Sequence, residues 1–151
     1  MSANPALTAN GIPVDLSPDA YADLEPANDL LGDPPALRDA MAERGHLYFR
    51  RLLDPATVLA ARHEILLKYA VIGEVDGRHP VDDAIAGDRA AVDVANLRAF
   101  SESVRSGAAY QAVTDAPEIL SFQTDLLGGD VRVFDMRWPR FVRPGEGCGF
   151  H

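Results

Sequence analysis

The sequence predicts an α+β chain whose helices come first and whose β-structure enters only near residue 131. Three observations carry that prediction. Aspartate–proline start signals stand at Asp33-Pro34 and Asp54-Pro55, each followed by apolar residues at three- and four-residue steps. Glycines stand where such helices would stop, at Gly45, Gly73 and Gly128. From Val131 onward the spacing changes to alternation. At 151 residues the chain can build one hydrophobic core and is too short for two ordinary ones.

The elements follow in order. Residues 1–32, rich in Pro, Asp, Asn and Ala, read as an irregular N-terminal arm. Asp33 is a good N-cap and Pro34 sits where its missing N–H costs nothing, so a helix runs to Gly45 with Leu37, Ala40 and Met41 on one face. His46 to Arg50 is short and aromatic and reads as a strand. Asp54 starts a second helix, to about Ile72, with a stripe of Val58, Leu59, Ile65, Leu66, Tyr69 and Ile72. Residues 74–91 are polar and acidic, a loop or lid longer than most connections in compact domains.

Helical character returns over 92–104 and 108–114. Asp115 and Glu118 are spaced as a capping box opening a helix to Leu127. Beyond it, DVRVFDMRWPRFVRPG reads as strand, bend and strand, broken at Trp138-Pro139 because proline cannot donate to a ladder. Strands confined to the last twenty or so residues are too few to close a sheet, since a lone hairpin is marginal in water.

Composition excludes several functions. The net charge of -9, with 23 acidic against 14 basic residues, argues against binding a nucleic-acid backbone or an anionic membrane surface. A single cysteine, Cys148, excludes an internal disulfide, and neither a signal peptide nor an apolar run of membrane-spanning length is present. A cytoplasmic protein is the expectation.

The chemistry-bearing residues are few. His63 reads as a helix-surface residue and His46 as a structural one. His79 stands near Asp82 and Asp83, a trio of metal-ligating types, although acids in a polar loop are usually only solvated. Gly145, Gly147 and Gly149 lack the following helix that a dinucleotide-binding fingerprint requires, and read as a turn. Cys148 has no cation or base beside it in sequence and reads as a small turn residue. Arg137, Arg140 and Arg143 are strand-face charges of the type that contacts carboxylates. That leaves His151, delivered by the turn PGEGCGF.

Two stretches together resemble a known family. VRVFDMRWPRFVRPGEGCGFH, residues 131–151, and LRDAMAERGHLYFRRLLDPATVLAARHEIL, from Leu37, are similar to the phytanoyl-CoA dioxygenase family of Fe(II)/2-oxoglutarate-dependent oxygenases. The resemblance runs from about residue 36 to 151. It implies that residues 33–151 are the N-terminal part of a dioxygenase domain, with helices packed on the first strands of an incomplete double-stranded β-helix, or jelly roll. It further implies hydroxylation of a small organic substrate with decarboxylation of 2-oxoglutarate. His151 falls on the family's first iron ligand and Met136 near a position lining the 2-oxoglutarate pocket.

The family's carboxylate ligand, two residues beyond that histidine, its distal histidine and its 2-oxoglutarate-binding arginine have no counterparts in the chain. The 151 residues alone are therefore expected to be inactive, with no catalytic residue of their own and no tightly bound iron or 2-oxoglutarate. The competing expectation is a small α-rich interaction module whose last strands add to a partner's sheet edge.

Overall fold

The computed structural model describes residues 7–9, 11–88, 97–137, 139, 142 and 143. It divides into two compact units, residues 1–25 with 141–151, and residues 26–140.

In the first unit the arm is not wholly irregular. β1 (Thr8–Ala9) and β2 (Ile12–Pro13) pair antiparallel, with Thr8 opposite Pro13 and Ala9 opposite Ile12. The sequence Asn10-Gly11 is a strong two-residue hairpin signal, and Gly11 holds φ at 77°. The Val14 amide extends the pairing by donating to the Leu7 carbonyl at 2.9 Å.

The second unit is helical and close to the predicted order. α1 spans Pro34–Arg44, with the Asp33 carboxylate accepting from the Ala36 amide at 3.2 Å. α2 spans Pro55–Val71, with Asp54 accepting from Thr57 at 3.0 Å. α3 is Leu97–Arg105, α4 Ala108–Thr114 and α5 Pro117–Leu127. Gly45 and Gly128, placed by the sequence at the ends of α1 and α5, end them in the left-handed conformation.

Packing is set by small and apolar residues on facing helices. α1 meets α5, α2 meets α4, and α4 meets α3. Leu37 and Val104 are fully buried, each contributing about 2 kcal/mol by removal from water. Ala40, Ala61 and Ala116 allow close approach. Phe49 packs edge-on against Phe122 with ring centres 4.7 Å apart, and Arg38 donates to the Asp125 carbonyl at 2.7 Å, closing the far end of α5 on α1.

A half-buried carboxylate joins the middle helices. Glu64 on α2 accepts from the Lys68 ammonium at 2.5 Å and from the Ala109 amide, at the start of α4, at 2.6 Å. Lys68 also donates to the Ser103 carbonyl of α3 at 2.6 Å. Gly107 lies directly over this cluster, so close that a Cβ there would collide with the Glu64 carboxylate and stand 2.6 Å from the Lys68 nitrogen.

Several local expectations are revised. Residues 46–50 make one parallel bridge, Tyr48 with Pro26, rather than a ladder. The bridge is made by the Ala27 amide, which donates to the Tyr48 carbonyl at 2.7 Å. The Asn28 amide side chain instead clamps Arg50, donating to its carbonyl at 2.8 Å and accepting from its amide at 2.9 Å.

The polar 74–88 stretch is closed at its base by the Val75–Ala86 bridge and by the Gly87 amide donating to Glu74 at 2.9 Å. It contains a short 3-10 turn, Val81–Asp83, packed on α2. Asp115 is not the N-cap of α5; that position is Ala116, with no side-chain cap. Over 131–137 no strand forms among the described residues. The further predicted strand residues Trp138, Arg140 and Phe141 lie outside the described residues. No helix among the described residues is long and apolar enough to cross a membrane.

Two outcomes follow from the Glu64 cluster. Gly107→Ala should lower unfolding stability by roughly 2 kcal/mol in urea titrations, as other overpacked sites do. Lys68 donating to it, foremost, holds the Glu64 carboxyl below its ordinary value against an opposing effect of burial. A depressed carboxylate stabilises the fold above its unfolded pKa, and that contribution is lost as pH falls through the folded value. The melting temperature should therefore fall less between pH 7 and pH 3 in Glu64→Gln than in the wild type, as thermal scans at both pH values would read.

Candidate binding cavity

Residues of α2, α3 and the segment after α5 line a concavity in the second unit. α3 carries Phe100 and Val104 on one face, four residues apart, and both turn towards α2. There Phe100 meets Tyr69 edge-on, with ring centres 5.2 Å apart. These residues and Pro139 form the apolar wall of a cavity of about 650 Å³. The volume lies within the range of ordinary small-molecule sites.

Three arginines and Ser101 supply its polar lining. Arg98 and Arg105 come from α3, and Arg137 from the segment after α5. No acidic residue lies among the described residues that line it.

Two of the three guanidinium groups are held from behind. One Arg137 nitrogen, Nη2, donates to both Asp115 carboxylate oxygens, at 2.5 and 2.7 Å. Arg105 pairs with Glu102, one helical turn earlier. The Nε atoms of Arg105 and Arg137 are buried and have no hydrogen-bond partner among the described residues. Both arginines also line a smaller polar pocket of about 300 Å³, shared with Glu102, Ser106, Gln111 and Asp135. Arg98 is exposed and has no ion pair among the described residues. Burial, helped by the charge of Glu74, pushes the Tyr69 hydroxyl above its ordinary value, so it remains a neutral phenol at physiological pH.

Met136, the residue singled out for the 2-oxoglutarate pocket, lines this cavity and is 75% exposed. Arg137, named from the sequence as a candidate contact for a carboxylate, lines it too. His151, the predicted iron ligand, lies outside the described residues, as do Cys148 and Arg140. Arg143 is buried in the first unit.

The remaining histidines are occupied locally. His46 Nδ1 lies 3.0 Å from the Arg44 carbonyl, and His63 Nδ1 lies 2.9 Å from Asp82, which also faces Arg62 at 3.6 Å. His79 approaches Asp76 at 4.0 Å rather than meeting the Asp82–Asp83 pair as a ligand set. Among the described residues no three His, Cys, Asp or Glu side chains gather in a group able to hold a metal ion.

Tyr69, Arg98, Phe100 and Arg105 were not singled out as site residues from sequence. The available signal was the amphipathic spacing of α3, with Phe100 and Val104 on one face and arginines flanking them. Compared with family models, curated proteins and solved structures, the chain matches none.

The carboxylates behind the cavity are unequal. Arg137 is 17% exposed, against 33% for Arg105. Asp115→Ala should therefore cost about 1 to 2 kcal/mol in urea unfolding, whereas Glu102→Ala, facing more solvent, should cost about 0.5 kcal/mol or less.

Proposed function

We propose that the chain is the N-terminal part of a phytanoyl-CoA dioxygenase-like, Fe(II)/2-oxoglutarate-dependent oxygenase acting on a small organic substrate in the cytoplasm. Its helices would pack on the first strands of a jelly roll. The observation that carries the reading is Met136, which the resemblance assigns to the 2-oxoglutarate pocket and which lines a cavity rich in arginine and free of acid among its described residues. Such a lining suits carboxylates, because a guanidinium stays charged at any working pH and offers a planar fork of donors. His151 would be the first iron ligand.

Iron and 2-oxoglutarate, when bound, would supply the activation of oxygen that the side chains cannot. The chain's own residues have simpler work. The arginines hold anionic groups, Asp115 and Glu102 fix two of those arginines, and Tyr69 and Phe100 form a wall that keeps water from one side.

The test is the coding sequence after codon 151, followed by an Fe(II)-dependent 2-oxoglutarate turnover assay. A continuation encoding any residue and then aspartate, with succinate formed only by the longer product, is the expected result. Turnover by residues 1–151 alone, or a longer product that never consumes 2-oxoglutarate, would overturn the proposal. A second reading, an interaction module pairing through residues 131–136, is favoured by the 85% exposure of Phe134 beside Met136. It requires a stop after codon 151 and a defined monomer or dimer by size exclusion.

A further inference from the structure

The cavity's charge and shape point to one ligand class. Of its three arginines, Arg105 and Arg137 are neutralised by Glu102 and Asp115, while Arg98 has no ion pair among the described residues. The described lining therefore carries one uncompensated positive charge. A carboxylate matches that surplus, because the guanidinium of Arg98 stays charged at any working pH.

The opposite wall asks for something different. Tyr69 and Phe100 meet edge-on, Val104 is 1% exposed beneath them and Pro139 closes the side. Faces of this kind favour an aryl or alkyl group, with geometric preference for a ring offset against or perpendicular to its neighbour. At about 650 Å³ the space leaves room for an apolar body beside a carboxylate. A ligand without an apolar body would leave that wall wet.

We infer that the cavity takes an aryl- or alkyl-monocarboxylate, its carboxylate on Arg98 and its apolar body on Tyr69, Phe100 and Val104. Assigning this ligand as the substrate rests on the oxygenase reading; its binding does not. Ser101, on the same stretch of α3 as Arg98, adds a hydroxyl to the polar lining.

The experiment is calorimetric titration of the 151-residue chain with 4-phenylbutyrate and with its neutral amide, beside assigned ring resonances of Tyr69 and Phe100. The acid should bind and shift both rings, and the amide should bind about tenfold more weakly, as expected for loss of one charge-assisted contact. Arg98→Gln, at an exposed helix position, should fold as the wild type by circular dichroism and weaken the acid by about the same factor while leaving the amide unchanged. Equal binding of acid and amide would overturn the inference. So would equal binding of the acid to both proteins, unmoved Tyr69 and Phe100 rings, or no binding at millimolar acid. The oxygenase reading fails separately, in the turnover assay, so either can fall while the other stands.

Discussion

The second unit depends on what happens to a single carboxylate. Glu64 is held three-quarters away from solvent, and a glutamate in that position is stable as an anion only if its charge is met. Lys68, one turn along α2, meets it directly, and the first amides of α4 complete its shell. Lys68 in turn reaches the α3 carbonyl of Ser103. Three helices are thereby joined by one ion pair and its hydrogen bonds. The close passage of the chain over this cluster is possible because residue 107 has no side chain.

The cavity shares α2 and α3 with that joint. α3 is tied to α2 through Lys68, Phe100 packs against Tyr69, and the arginines on either side of it line the same space. Arg137 arrives from the segment beyond α5, and Asp115 at the α4–α5 junction holds it there. An aspartate suited by sequence to capping a helix serves instead to orient a cation. The ion pair is stronger than a cap because a partly buried guanidinium without its counter-ion would be costly, whereas an exposed helix start can be solvated by water.

Local signals translated well into local structure. Asp33 and Asp54 cap their helices through the predicted side-chain bonds, and Gly45 and Gly128 take the left-handed conformation. Each of these outcomes depends on atoms within about one helical turn, so neighbours in sequence suffice. The strand reading of 46–50 was legible only as a composition. Pairing needs a partner strand, and among the described residues the fold gives this segment a single bridge, Tyr48 with Pro26. Of the cavity lining, Met136 and Arg137 had been singled out in the last stretch, whereas Tyr69, Arg98 and Phe100 lay in segments read simply as helix. Nothing local distinguishes an arginine that faces a cavity from one that faces bulk water.

By itself, then, the sequence determined where helices begin and end, the acidic character of the surface, and a C-terminal stretch whose residues carry a family resemblance. Those properties are written in caps, breakers, periodicity and charge, which act over a few residues or over the whole composition. Tertiary structure alone decided that Glu64 and Lys68 would bind three helices together, that Asp115 would serve Arg137, and that one arginine of three would keep an uncompensated charge. Each of those depends on which distant groups are brought within hydrogen-bonding distance, and a partly buried charge takes whatever partner the packing delivers to it.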